Sequence, residues 1–561
     1  MSAEYTQLNW WAEGDMPVRT DSQVIALVDG RHALWTMCLH FLTARTSIYL
    51  ANWGITADMR IVRGTDQRAG PDGSPEQNAL IAELQMAGLS NEDIAFWTTQ
   101  DLTVRNVLGY AVRKGVDVKV LLWACPEVFS HYSPKTAHTE LTSVGITCIL
   151  DDSASRLPHP SESLHQKISI VDSTYAFVGG IDPLIELSGD FDRWDTPWHA
   201  FLSHLRANPK DAMPHTWHDA HALIKGSAAR DVEFNFYQRW NEMTNRHKLN
   251  EQQLVSEPLR MEQAASTQSL VQIVRTIPVE TYNFAPKHGI QSIAQLYANA
   301  LSNAQSFIYI ENQYFWLHTF MGVGIADFGP DNPEMEHNLR ILAEVLEHGA
   351  SLALVLPDHP NVGRAFTDIG IDHLRKHAPK AVAAGRIQVF CLADSTQKAG
   401  KEHYRPVYVH AKVAVIDDAW STIGSANLNN RGMRDDAEMN VAILNSDFAR
   451  NLRILLWAEH LDLLNDDEQF IISRYLNRQP QHAAINQRAQ TLWQEITHKL
   501  SNPAIGMRMF VEKAQANLQH FKNGEPLNSH LFPYVTAEEA HRLGLKFHES
   551  HGLFETPEQM L

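Results

Sequence analysis

Short apolar runs rich in β-branched and aromatic residues alternate along this chain with longer stretches whose apolar positions recur every three or four residues. The run in "TARTSIYLANWGI" (43 to 55) has a counterpart in "NAQSFIYIENQYF" (303 to 315). In "LGYAVRKGVDVKVLLW" (108 to 123) and "LAEVLEHGASLALVLP" (342 to 357) an amphipathic helix closes at Gly115 or Gly349 and a strand follows; glycine supplies the left-handed cap. Strand, helix and strand recur in the same order in each half. This alternation predicts βαβ units and hence two homologous α/β lobes, residues 1–250 and 265–470, each a mixed, mostly parallel sheet flanked by helices. The polar stretch 246 to 267 is expected to connect them, "NLRILLWAEHLDLL" (451 to 464) to close the second lobe as a helix, and residues 471–561 to form a mainly helical extension.

Polar residues interrupt two of the apolar runs in the same way. "ESLHQKISIVDSTYAFVGGID" (162 to 182) carries His165, Lys167 and Asp172, and "VYVHAKVAVIDDAWSTIGSAN" (407 to 427) carries His410, Lys412 and Asp417. Each pair is offset by 410 − 165 = 245 positions. The same offset pairs Gly179 with Gly424, Gly180 with Ser425 and Asp182 with Asn427. Two half-exposed strands would not share it by chance.

In a strand, side chains two apart share a face, so each His stands beside its Lys while Gln166 and Ala411 point away. Two potential cations on a buried face repel, and each costs solvation. An anion between them removes the conflict. Lobes packed about a pseudo-twofold axis would surround one phosphate with two Lys and two His, and the glycines would let the backbone turn so that Asp182 and Asn427 reach the pocket with Gly180 and Ser425. An imidazole titrates near neutrality, so one His can act as nucleophile and its twin as general acid and base. The lysines would stabilise charge on the non-bridging oxygens. This chemistry needs no metal or other cofactor.

At 561 residues the chain is long enough for more than one core. It is 44% hydrophobic and 20% charged, with no apolar run long enough to span a bilayer. Its four cysteines lie far apart, which suits reduced thiols. The net charge of −18 disfavours general affinity for nucleic acid or docking on an anionic membrane, and requires that any phosphate be held by a local cationic pocket. The first residues lack a basic and apolar leader pattern, so a cleaved signal is not expected.

The doubled H-x-K-x-x-x-x-D, with "FVGGID" after the first and "TIGSANLNNRG" after the second, resembles the phospholipase D superfamily. Further pieces are similar to its eukaryotic-type branch: "DRWDTPWH" (192 to 199), "TWHDAHALIKGSAARDVEFNFYQRW" (216 to 240), "IYIENQYF" (308 to 315) and "LWAEHL" (456 to 461). The resemblance implies hydrolysis of a glycerophospholipid to phosphatidic acid and free head group, with His165 as nucleophile and His410 as acid and base. It also implies a carboxylate behind each His, matched by Asp219 and by Glu438, with Asp436 a competitor. Asp172 and Asp417 complete the catalytic motif and are expected to act as structural partners within it. Asp182 departs in charge from Asn427, and a Lys or the backbone is its expected partner.

His215, His218 and His221 in "HTWHDAHAL" have a spacing that metals use, but the resemblance already accounts for this segment, and no metal is expected. Glu311 and Gln313 are expected to face the pocket. Within the superfamily a nuclease is disfavoured by the charge, a cardiolipin-synthase-like transferase by the lack of N-terminal membrane helices, and a non-catalytic scaffold by the intact His and Lys pairs. No segment before residue 40 is long enough for a lipid-binding module, so a bare catalytic core is expected. The chain also resembles lipase effectors exported without a signal peptide by the type VI apparatus. That likeness implies an immunity or secretion partner and action at a target-cell membrane after synthesis in the cytoplasm.

Overall fold

The computed structural model describes residues 8–125, 133–153, 162–184, 217–251, 253–255, 269–318, 332–358, 363–398, 400–548 and 552–554. "DRWDTPWH", His215 and most of the expected connecting stretch lie outside these residues.

Two mixed sheets flanked by helices carry the fold. In the first, the strands run in the order Gln23–Val28, Ala220–Lys225, Tyr175–Gly179, Ile168–Val171, Ser47–Asn52, Asp117–Trp123 and Thr147–Asp151. The second repeats that order with Leu270–Ile277, Glu438–Leu444, Trp420–Gly424, Val413–Ile416, Phe307–Glu311, Ser351–Val355 and Ile387–Lys398. The second sheet adds further strands, among them Lys401–Val409 and Leu531–Pro533. Beyond residue 471 the described residues form helices and the short strand Leu531–Pro533, which pairs with the 387–398 strand. Two short strands of the first half, Val18–Arg19 and Trp217–His218, also join the second sheet, so the chain crosses between sheets more often than a division at 250 and 265 implies.

The expected preponderance of parallel pairing is not met. In each repeated set the last three strands are parallel and the other four are antiparallel. The helix-linked crossovers legible as alternation account only for the parallel part; the motif strands fold as hairpins, which need no crossover helix.

Each hairpin turn contains the final Asp of a motif. Asp172 and Ser173 have φ of 53°, and Asp417 and Asp418 have φ of 52° and 50°, a left-handed conformation that Asp tolerates better than most residues. The Asp172 carboxylate accepts N–H bonds from Arg45, Thr46 and Ser47 at 2.7 to 3.1 Å. Asp417 accepts from Gln305, Ser306 and Phe307 at 2.7 to 2.9 Å. Each Asp thus ties its turn to the start of the neighbouring central strand.

Gly115 and Gly349 have φ of 87° and 125°, as helix-terminating glycines require. The helix Ser446–His460 forms where the apolar period predicts one. Three apolar cores result: one between the sheets, built from both halves and from helices beyond residue 471, and one on the outer face of each sheet. Among the described residues no helix is long and apolar enough to cross a membrane.

Candidate active site

The two motifs meet where the lobes exchange short backbone pairings. Leu164 bridges Ala437 in parallel, and His165 N–H donates to the Ala437 carbonyl at 3.0 Å. In the equivalent place Tyr408 and Val409 pair with Trp217 and His218, and His410 N–H donates to the His218 carbonyl at 2.8 Å. The segment entering each motif is therefore stitched to the residue that precedes the other lobe's carboxylate.

That exchange determines which carboxylate holds which imidazole. His165 Nδ1 lies 2.8 Å from Glu438 Oε1, and His410 Nδ1 lies 2.7 Å from Asp219 Oδ2. Each pair crosses between the halves. A carboxylate accepts, so Nδ1 carries the proton and Nε2 is the acceptor nitrogen of each ring. Asp436 does not compete: it accepts from Ser163 N–H at 2.8 Å and is clamped by Arg431 at 2.6 and 2.9 Å. It braces the segment before His165 and is not a His-orienting group.

The histidine and lysine of each motif lie just before the strand instead of within it, since the strands begin at Ile168 and Val413. Each Lys folds back onto its own histidine: Lys167 Nζ donates to the His165 carbonyl at 2.7 Å, and Lys412 Nζ to the His410 carbonyl. Gln166 points away and meets Asn235 at 2.9 Å. Both lysines exert an electrostatic pull on Glu438, which places them around one centre. Burial, then Asp436, raises the proton affinity of Glu438 well above the ordinary carboxylate value against that pull.

Asp182 is held by Lys167 at 3.3 Å and by Asn52 at 3.0 Å, which gives it the Lys partner expected of it. Asn427 instead donates to Gln313 Oε1 at 3.1 Å, the same oxygen that takes Lys412 Nζ at 3.2 Å. Gln313 thus lines the pocket. Glu311 does not; it turns into a separate buried cluster with His218 and His460. Asp172 and Asp417 lie in the hairpin turns, at the far ends of the motif strands from His165 and His410. Their carboxylates bind backbone amides there, so neither belongs with the reacting groups.

Gly180 is required sterically: a Cβ there would lie 2.0 Å from Asp219 Oδ1. At the equivalent Ser425 the side chain is used, its hydroxyl donating to Glu438 Oε2. His221 stands against Gly179, where a Cβ would be 2.4 Å from its Nδ1. Burial, then Lys167, lowers its pKa to about 3, so it stays neutral. Trp217 lies against His410 with ring centroids 4.4 Å apart. Gln313 is where the sequence placed it, whereas Trp217 and Asn52 were not among the residues singled out for the pocket. Only the repeat of 43–55 in 303–315, which aligns Asn52 with Asn312, hinted that this strand end lines it.

The profile of the family described as Phospholipase D matches residues 98–321 and 390–534, and that described as Cardiolipin synthase, PLD-like domain, matches 297–457. Phospholipase D alpha 3 of Arabidopsis thaliana is 25% identical over 541 residues, covering 74% of this chain and 62% of its own length. Phospholipase D alpha 1 of Cynara cardunculus is 26% identical, covering 79% and 66%. The chain thus spans about two thirds of these relatives. Among solved structures, the phosphatidylserine synthase of Haemophilus influenzae aligns with TM-score 0.45 and 12% identity over 77% of this chain and 84% of its own.

Proposed function

The chain belongs to the phospholipase D superfamily, and from that premise we propose that it is a phosphodiesterase that cleaves the distal phosphodiester of phosphatidylcholine or phosphatidylethanolamine. The observation that carries the reading is the crossed pair of imidazole–carboxylate contacts, 2.8 Å at His165 and 2.7 Å at His410. In each, Nδ1 is turned to a carboxylate, so Nε2 is the nitrogen that would meet the phosphate, and Glu438 suits His165 as nucleophile.

His165 Nε2 attacks phosphorus and an N–P bond forms while the bond to the head-group oxygen breaks. His410 enters this step as the imidazolium, and the leaving alkoxide takes its Nε2 proton. Positive charge on the phosphorylated imidazole is balanced by the Glu438 carboxylate, which holds the Nδ1–H at 2.8 Å without taking the proton. Water then gives a proton to His410 Nε2 and attacks phosphorus, the N–P bond breaks, and phosphatidic acid leaves. Lys167 and Lys412 stabilise the non-bridging oxygens throughout. An alcohol in place of water yields the transphosphatidylation product.

The match to the cardiolipin-synthase profile favours a second reading, a phosphatidyltransferase using the same intermediate with a lipid alcohol as acceptor. Product analysis separates the two. Phosphatidylcholine, phosphatidylethanolamine, phosphatidylglycerol and single-stranded DNA are supplied with and without ethanol. Phosphatidic acid, diverted to phosphatidylethanol by ethanol, is the expected result; cardiolipin alone selects the transferase, and cleavage of DNA without lipid turnover overturns both.

The same proposal covers the effector role and its immunity partner. Delivered to the periplasm of a sensitive cell, the protein should be toxic and His410→Ala harmless. A harmless wild type that is active on lipid in vitro would remove that role alone.

A further inference from the structure

Three of the segments that resemble the eukaryotic-type branch send side chains away from the catalytic pocket and into one buried cluster. His218, Glu311, Glu459 and His460 have side chains with no solvent exposure, and Asp29, at the start of the helix Asp29–Thr43, is 3% exposed. Glu311 takes both imidazoles: Oε2 lies 2.8 Å from His218 Nε2, and Oε1 lies 2.7 Å from His460 Nε2. His218 Nδ1 faces Asp29 Oδ1 at 3.1 Å and Glu459 Oε2 at 3.8 Å.

The cluster is under-satisfied. His460 Nδ1 is buried without a hydrogen-bond partner, and the Glu459 and Asp29 carboxyl groups are pressed against each other. Three carboxylates crowd two imidazoles in this interior, an arrangement that is costly unless a proton or a cation lies between the acids. One ligand atom from each of His218, Glu459 and His460 lies within 4.8 Å of the other two.

We propose that this cluster is a structural site for a divalent transition metal, zinc by the chemistry of its donors, held by His218, Glu459 and His460 with Asp29 beside them. Two imidazoles and a carboxylate are a donor set that zinc uses, whereas calcium and magnesium take oxygen. The partners outside the ligands are also of the kind metal sites carry: Glu311 fixes both rings, and Gln469 Nε2 donates to Glu459 Oε2 at 2.9 Å. Tetrahedral ligand atoms around zinc stand about 3.3 Å apart, given bonds of about 2.0 Å, so closure from 4.8 Å needs shifts of about 1 Å or less in each side chain.

The cation would act at a distance from phosphorus. It would join the helix at Asp29, the Trp217–His218 strand and the helix Ser446–His460, which come from both halves. The His218 carbonyl accepts from His410 N–H at 2.8 Å and Ala411 N–H at 3.2 Å, and the next residue, Asp219, holds the His410 ring. A metal here anchors the backbone that positions His410.

The test uses the untagged full chain, expressed in zinc-supplemented medium and purified without chelator, with metal counted by plasma mass spectrometry. About one zinc per chain is expected, falling at least tenfold in Glu459→Gln and in His460→Gln. The half-buried His373 and the exposed His377, whose rings lie 4.1 Å apart, are the competing surface site; the double variant His373→Ala with His377→Ala should keep its zinc. Wild-type protein refolded with zinc should melt several degrees above protein refolded with chelator, a comparison that holds even if a variant does not fold. No bound zinc, zinc that follows the surface pair, or equal melting temperatures would overturn the site and leave the cluster held by protons.

Discussion

The two half-sites share a backbone and differ in chemistry. In the first, His165 meets a glutamate that also takes the Ser425 hydroxyl, Lys167 has a full carboxylate in Asp182, and the ring is 16% exposed. In the second, His410 meets an aspartate packed against Gly180, Lys412 contacts the neutral amide of Gln313, and the ring, covered by Trp217, is 3% exposed. Duplication supplies two equivalent imidazoles. The residues around them leave one ring more open and the other enclosed, a difference that suits the proposed division into nucleophile and proton carrier.

The largest effect should come from removing either ring. His165→Ala and His410→Ala should each lower kcat by about four orders of magnitude or more, since each group makes or breaks a bond. The comparison sharpens with asparagine: only His410→Asn should accumulate a covalent phospho-adduct, read by intact-mass spectrometry. An adduct in His165→Asn instead would exchange the roles.

Next come the carboxylates. Glu438→Gln and Asp219→Asn should each reduce kcat by about 10³ to 10⁴, the scale seen when an orienting acid becomes an amide. In the crossed arrangement Glu438→Gln should act through His165. It should therefore slow the first-turnover burst of head-group release, while Asp219→Asn, acting through His410, should also slow the water step. Identical effects on both phases would erase the distinction.

Asp182→Asn makes the first half-site resemble the second. With one counter-charge gone from Lys167, KM for an anionic-phosphate substrate should fall by less than about tenfold while kcat changes little, a shift that added salt should diminish. A loss of several orders in kcat would mean that Asp182 does more than balance Lys167.

The smallest effect separates the rims. Glu162, which hydrogen-bonds Thr281 at 2.7 Å, occupies the position of the buried Val407 in the other half. Burial, then Asp436 and Asp435 against Thr281 and Arg431, lifts its pKa to about 8. An ordinary carboxyl titrates near 4.5, so between those values the folded chain holds a proton that the unfolded chain has released. Stability should therefore fall as pH rises from about 4.5 to 8. Melting temperature in Glu162→Gln should vary less across that range; an unchanged slope would show that Glu162 titrates normally.

The repeat, the two His–Lys pairs, the hairpin glycines and the α/β class were legible in the sequence because each depends on local spacing. Alternating helix and strand marked the parallel strands of each lobe, and the 245-residue offset marked the motifs. The same local signals misjudged the sheet, since short antiparallel strands joined by tight turns leave no helical period between them.

Only the tertiary structure decided which carboxylate serves which ring. The equivalents Asp219 and Glu438 are 438 − 219 = 219 apart, 26 fewer than the motif offset, so a constant spacing could not align them, and Asp436 looked as suitable. Their assignment follows from parallel pairings across the lobes, Leu164 with Ala437 and Val409 with His218, and contacts between residues 191 and 273 positions apart are set by packing. The same holds for the buried cluster: Asp29, His218, Glu311 and Glu459 come from four distant segments, and only the closing of one lobe on the other brings their charges together.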